Sequence, residues 1–228
     1  MTRIASLKNR HMGETCVLVA NGPSLNKMEL SFLNKVTTIG MNKIFLGFKK
    51  FGFYPNYYIS VNPTVIQQSV DEIKRLNCIK FIGNRGGSFI SEDALTYELN
   101  TKYPPHRFCK DIALGVREGG TVTFAALQLA YYLGFTRVII IGMDHSFNFE
   151  GLPNEKNYMQ GADINHFAAG YFGFGQNWDN PDLEKSEESY RIAKEIFEAD
   201  GRQILDATVE GHCNIFRKVD YREVFKVK

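Results

Sequence analysis

Residues 16–20 read Cys-Val-Leu-Val-Ala, an apolar run of strand length that stops abruptly at Asn21-Gly22-Pro23-Ser24. Those four residues specify a tight turn, with a helix start expected just after it. A strand, a glycine turn and a helix N-terminus in succession leave several backbone N–H groups converging on one spot, which suits a phosphate or another anion. No Gly-Lys-Ser/Thr follows, so the turn is not a P-loop, and it lacks the three glycines of a dinucleotide fingerprint. The turn therefore predicts a nucleotide or sugar-nucleotide site of another type, with Asn21, Gly22, Pro23 and Ser24 in it.

The alternation continues along the chain. Strand-like runs recur at residues 37–40, 57–61, 79–82, 137–141 and 203–206. The run Arg137-Val-Ile-Ile-Ile141 shows no polar alternation, as expected of a strand covered on both faces. Asn62-Pro63 places a capping side chain before a proline suited to a first helical turn, and Ile66, Val70 and Ile73 follow on one face. Asn180-Pro181 repeats the device, with Asp182 and Glu184 at the positive end, an apolar stripe of Leu183, Tyr190, Ala193 and Phe197, and Gly201 as the stop. Residues 121–133 are alanine-rich, apolar on most sides and closed by Gly134, which predicts a buried central helix. The pattern predicts an α/β, Rossmann-like fold: a mostly parallel sheet with helices on both faces, spanning residues 1–228 as a single domain. Residues 148–180 break the rhythm. They are rich in Gly, Asn, Tyr and Phe without a period, as expected of a lid or substrate segment.

Composition removes several classes of function. The formal net charge is +2, and the basic residues are too dispersed for a nucleic-acid groove. The basic first twelve residues lack the apolar stretch of a signal peptide, and no run reaches the roughly 18 apolar residues of a membrane helix. Cys16, Cys78, Cys109 and Cys213 include no C-x-x-C pair, so a zinc site is not expected. Cysteine use of this kind fits a reducing compartment and a cytoplasmic location.

Ligands of parallel sheets gather at the carboxyl ends of the strands. Three such ends carry asparagine: Asn21, Asn42 and Asn62. A neutral amide donates and accepts, so it can read a base edge, a ribose hydroxyl or a phosphate oxygen. Asparagine is also a common turn residue, and Asn62 is a ready helix cap. Gly119-Gly120-Thr121 opens the buried helix and offers N–H groups to an anion, unless the glycines only turn and Thr121 only caps. After the strongest strand comes Gly142-Met143-Asp144-His145, where Asp144 is placed to hold a hydroxyl, a metal or a histidine. A histidine can take a proton from a hydroxyl, which makes His166 a candidate base. Tyr158 and Tyr171 flank it and could donate to phosphate oxygens, or simply pack with Phe167, Phe172, Phe174 and Trp178. His11, His106 and His212 have no supporting pattern.

Together these residues resemble the 6-hydroxymethylpterin diphosphokinase MptE-like domain, which also occurs in flagellin-modifying Maf proteins and in proteins of surface-polysaccharide gene clusters. The resemblance runs from about His11 to the C-terminus, through Asn21-Gly-Pro-Ser-Leu25, Gly115-Val-Arg-Glu-Gly-Gly-Thr121, Val138-Ile-Ile-Ile-Gly-Met-Asp144 and Asn165-His-Phe167. Gly175-Gln-Asn-Trp178 with Asp182 and Tyr190 extends it. A more distant resemblance is to small bacterial sialyltransferases that use CMP-sialic acid, which share the Asn-Gly-Pro-Ser turn, an asparagine like Asn42 and an Asn-Pro like Asn62-Pro63. It implies that the asparagines contact a cytidine nucleotide, that His166 is the base, and that Tyr158 and Tyr171 correspond to lid tyrosines that bind phosphate.

The expectation is a glycosyltransferase-type enzyme that moves a nucleotide-activated sugar, most plausibly a CMP-linked sialic or other nonulosonic acid, onto a glycan or glycoprotein acceptor. Asn21, Asn42 and Asn62 hold the nucleotide in this scheme. The backbone at 22–24 and 120–121 holds phosphate and carboxylate, and no metal is required. The alternative is a Mg²⁺-dependent diphosphokinase acting from ATP on a hydroxymethylpterin, with Asp144 and Asp163 as metal ligands. No dense acidic cluster supports it. A non-catalytic nucleotide-sugar binding module is the third class. The basic N-terminus and the aromatics leave room for peripheral contact with the inner face of a membrane, and a homo-oligomer is compatible with the sequence.

Overall fold

The structure, a computed structural model, describes residues 3–85, 87–102 and 107–227; His106 lies outside the described residues. In chain order the first half contains β1 (Thr15–Val19), β2 (Thr37–Met41), α1 (Phe48–Phe51), β3 (Tyr57–Ser60), α2 (Pro63–Gln68), α3 (Val70–Arg75), β4 (Ile79–Gly83), β5 (Thr96–Leu99) and β6 (Thr101–Lys102). The second half contains β7 (Val116–Arg117), α4 (Val122–Leu133), β8 (Arg137–Ile141), β9 (Lys156–Tyr158), β10 (Asn177–Asp179), α5 (Leu183–Ala199), β11 (Gln203–Asp206), β12 (Arg217–Lys218) and α6 (Tyr221–Phe225).

Eight strands form one parallel sheet in the order β12-β11-β8-β1-β2-β3-β4-β5. Successive side chains of a strand point to opposite faces, and both faces here are covered. Cys16, Leu18, Val138 and Ile140 pack on one side with α4 and α5. Val17, Val19, Ile139 and Ile141 pack on the other with Ile66, Ile73 and the aromatic residues of the 148–180 segment. That double burial is why β1 and β8 are continuous apolar runs. The α/β expectation holds. The edge strands β5 and β12 were not anticipated, because one alternates with polar residues and the other is two residues long.

Helix α4 is buried over eleven of its twelve residues. Thr121 caps it by accepting the Thr123 N–H, and Gly134, at φ +96°, ends it in the left-handed region that glycine adopts without penalty. Two helix starts differ from expectation. Beyond Asn21 the chain makes only a five-residue 3₁₀ turn, Pro23–Lys27. Asp182, not Asn180, caps α5 by accepting the Lys185 N–H. Asn180 is buried, and its amide donates to the Glu150 and Leu152 carbonyls at 2.8 and 2.9 Å.

The 148–180 segment is mostly irregular, with one antiparallel ladder of β9 and β10. It is fastened over the strand ends. The Phe167 N–H donates to the Asn21 carbonyl at 2.9 Å, Asn26 Nδ2 to the Phe167 carbonyl at 2.8 Å, and Gln68 Nε2 to the Asn177 carbonyl at 3.0 Å.

Candidate active site

Between β1 and β8 the strand order reverses direction: β2, β3 and β4 lie to one side of β1, and β8 and β11 to the other. Parallel sheets open a crevice at such a point, outside the strand carboxyl ends. Here that crevice is a cavity of about 720 Å³, within the range of small-molecule sites. Its lining includes Asn21, Gly22, Asn42, Asn62, Gly120, Thr121, Asp144, His166 and Tyr171, so nine of the sequence-predicted positions share one cavity. Pro23, Ser24, Gly119 and Tyr158 are not in the lining.

Their placement has physical causes. The Gly22 N–H donates to the Gly142 carbonyl at 2.8 Å. Asp144 Oδ1 accepts the Ser24 N–H at 2.9 Å, and Oδ2 accepts the Ser24 hydroxyl at 2.6 Å. The turn was expected to cradle a ligand phosphate; the anion it receives is the chain's own Asp144 carboxylate. Burial pushes the Asp144 carboxyl upward, opposed by the two Ser24 hydrogen bonds and by Lys27. Gly119, at φ +58°, has no room for a side chain, since a Cβ would lie 2.3 Å from the Phe124 ring. Tyr158 is 68% exposed on β9.

The three asparagines are partly committed. Asn21 Nδ2 donates to the Met41 carbonyl at 3.1 Å, while its Oδ1 is buried without a partner. Asn42, at φ +49°, accepts the Ser60 hydroxyl at 3.1 Å. Asn62 caps α2 through Oδ1 and reaches Asp179 through Nδ2 at 3.3 Å. Glu118 and Thr101, both in the cavity lining, interact with each other. Asn21 Oδ1 is the buried acceptor of the lining left without a protein partner among the described residues, and buried polar groups are normally satisfied.

His166 is held on two sides. Its Nδ1 lies 2.8 Å from Asp163 Oδ2, and its ring is stacked on Tyr171 with centroids 3.8 Å apart and planes within 2°. Burial alone would raise the Asp163 carboxyl. The hydrogen bond and charge of His166, with the Asn165 and Phe172 N–H groups, outweigh it and hold Asp163 below its ordinary value. A carboxylate at Nδ1 favours the tautomer with the proton on that nitrogen. The Tyr171 hydroxyl is buried and accepts the Lys43 N–H at 3.3 Å.

Sequence reasoning missed the charged rim. Arg85, Lys102, Lys156 and Lys185 line the cavity with Glu118, Asp144 and Asp179. Arg85 pairs with Glu118 at 2.9 Å, and burial raises the Glu118 carboxyl despite that pair. The aliphatic stem of Lys185 lies over Gly120, where a Cβ would be 3.1 Å from it. The N-terminal end of α4 and a lysine thus face the same part of the cavity, an arrangement suited to an anion. Asp144 and Asp163, the carboxylates a magnesium site would use, are turned toward Ser24 and His166, and among the described residues no three His, Cys, Asp or Glu side chains group to hold a metal ion.

A parallel sheet with a cavity at its switch point defines a Rossmann-like protein with a candidate site at the strand carboxyl ends. The chain belongs to the family described as 6-hydroxymethylpterin diphosphokinase MptE-like, which it matches over residues 1–150. The match includes the Asn-Gly-Pro-Ser turn and Asp144; His166 and α5 lie beyond it. Two curated relatives are each named probable 3-deoxy-manno-octulosonic acid transferase. The one from Escherichia coli is 26% identical over 183 residues, 62% of this chain and 65% of its own length. The one from Salmonella typhimurium is 25% identical over 183 residues, 62% of this chain and 68% of its own. The chain thus spans about two thirds of these relatives. In three dimensions it is similar to a Maf glycosyltransferase from Magnetospirillum magneticum, with a TM-score of 0.55 and 13% identity over 95% of this chain and 37% of that one. That likeness establishes the fold.

Proposed function

We propose that the chain is a glycosyltransferase that moves an acidic sugar from a nucleotide-activated donor, a CMP-linked sialic or other nonulosonic acid, to a hydroxyl of a glycan or glycoprotein. The observation that carries this reading is His166. It lines a cavity of nucleotide-sugar size and has one ring nitrogen on Asp163, leaving the other for an acceptor hydroxyl. The relatives named for transfer of an eight-carbon sugar acid support an acidic donor.

In this reading Asn21 and Asn42 hold the nucleoside. Asn62 shapes the crevice by fixing α2 and Asp179. Because Asp144 fills the first turn, the donor's phosphate falls to the start of α4 at Gly120–Thr121, under Lys185. His166 Nε2 takes the acceptor proton as the acceptor oxygen bonds to the anomeric carbon and the carbon–oxygen bond to CMP breaks. The leaving phosphate is stabilised by the helix N-terminus and the ammonium. The 148–180 segment excludes water from this chemistry. Asp144 serves the site by locking the turn rather than by touching the reacting atoms.

Calorimetry with CMP, CDP, UDP, ADP and ATP, with and without Mg²⁺, tests the reading. CMP should bind without metal and more tightly than the others. Binding confined to Mg-ATP would overturn it in favour of the diphosphokinase for which the family is described. In the transferase, His166→Ala should lower turnover by about 10²–10⁴-fold with nucleotide affinity nearly unchanged.

A further inference from the structure

Lys43 follows Asn42 at the carboxyl end of β2, and it is only 4% exposed. A buried ammonium ordinarily needs a carboxylate beside it, because leaving water is costly for a charge. Among the described residues Lys43 has none within bonding distance. Its Nζ donates to the Tyr171 carbonyl at 2.9 Å, to Gln176 Oε1 at 2.9 Å and to Gln68 Oε1 at 3.4 Å. It also lies 4.6 Å from the centre of the Phe172 ring. Gln176 Oε1 accepts the Gly173 N–H at 3.0 Å, so the same amide closes the 173–176 turn. One side chain therefore ties the end of β2 and helix α2 to the segment that follows His166.

The consequence reaches the imidazole. The Lys43 N–H meets the Tyr171 hydroxyl, and the Lys43 ammonium meets the Tyr171 carbonyl, so this tyrosine is gripped at both ends. Its ring is the surface on which His166 is stacked. An apolar residue of the same length would fill the space without desolvating a charge. What the ammonium adds is direction: three acceptors from two elements are drawn to one point.

We propose that Lys43 is a positioning residue for His166, holding the imidazole in place through Tyr171 and Gln176. The proposal rests on His166 being the base, but its main test needs no substrate. Long-range ¹H–¹⁵N correlation of the histidine rings reports which nitrogen of His166 carries the proton. The wild-type protein should show one tautomer with the proton on Nδ1. Lys43→Met should show averaging between tautomers or exchange broadening at His166, with a Tm equal to or above that of the wild type. Gln176→Leu supplies a second variant that disturbs the same contact should Lys43→Met fail to fold.

In the residual hydrolysis of a CMP-activated sugar acid, where a water takes the place of the acceptor hydroxyl, kcat should fall at least about tenfold in both variants while KM stays within about twofold, the mark of lost positioning rather than lost binding. Wild-type His166 spectra in both variants would overturn the proposal. So would a loss of kcat matched by a fall in Tm, which would make Lys43 a packing residue. If the wild-type protein turns over no nucleotide sugar, the transferase reading fails and the tautomer measurement still decides the role of Lys43.

Discussion

At Gly22 the chain has room for a hydrogen atom and nothing larger. A Cβ there would lie 1.9 Å from Asp144 Oδ2 and 2.7 Å from the Gly142 carbonyl oxygen. The Asn-Gly-Pro-Ser turn and the Gly-Met-Asp strand end are thus two halves of one device, closed by the Ser24–Asp144 hydrogen bonds across 120 residues of chain. Gly22→Ala should destabilise the protein by about 1–3 kcal/mol, the cost typical of overpacking. Asp144→Ala should also destabilise it, by leaving the buried Ser24 N–H unpaired. In the double variant the carboxylate clash is gone but the Gly142 carbonyl remains, so the two costs should sum to less than their separate values. Urea unfolding of the three variants measures this, and strict additivity would show that the two motifs do not touch as described. Both halves are legible in the sequence as unusual polar residues at strand ends. Their partnership is not, because nothing local in residues 21–24 announces a carboxylate arriving from residue 144. A phosphate-shaped turn and a carboxylate-filled turn use the same backbone.

At the scale of the element, the 148–180 segment shows what a missing period does and does not reveal. Glycine and asparagine without repetition correctly signalled a stretch with little regular structure. Which aromatics pack inward was hidden: Phe167, Tyr171, Phe172 and Trp178 are core residues, while Phe174 is 83% exposed. An irregular chain has no alternation from which burial can be read. Lys43, which fastens the segment, gives it a pH dependence. Burial lowers its amine to about 8 from an ordinary 10.5, and the charges of Glu72 and Asp163 oppose the shift. Between those two values the unfolded chain holds a proton that the native protein has released, so this group makes stability rise with pH across the window, by up to about tenfold in the folding constant per pH unit. Below pH 8 both states are protonated and the dependence from Lys43 vanishes. Buried tyrosines such as Tyr58, Tyr171 and Tyr190 keep their protons longer when folded and act in the opposite sense above their ordinary value of 10. The informative quantity is therefore the difference between wild type and Lys43→Met, followed by urea unfolding from pH 7 to 10. That difference should grow in favour of the wild type above pH 8, and a flat difference would mean the amine is not buried in this way.

For the whole molecule, the central strands were legible because a parallel strand covered on both faces has to be apolar throughout. β1 and β8 carried that signature in full and four more sheet strands in part, and their order placed the strand ends of residues 21, 42, 62 and 144 around one crevice. The far wall was not legible. Arg85 and Glu118 come from loops, Lys102 from the two-residue β6 and Lys185 from the first turn of α5, where charged side chains look like ordinary solvated surface. Only the fold reveals that they face inward and that Lys102, Lys156 and Lys185 make no ion pair among the described residues. Cations lining a cavity without paired acids attract an anion, and the attraction weakens as salt screens it. Trp178 lines the same cavity and is the chain's one tryptophan, so its fluorescence reports events there without a label. Adding CMP should change Trp178 emission, and the affinity read from that change should fall as ionic strength rises from 0.05 to 0.5 M, on the order of tenfold given the Debye lengths involved. Lys185→Met should weaken binding and flatten the salt dependence, Lys102→Met should do so to a smaller degree, and Lys74→Met on the remote helix α3 should do neither. A salt dependence that survives both cavity substitutions would place the phosphate elsewhere, and a loss shared by Lys74→Met would reduce the effect to net charge.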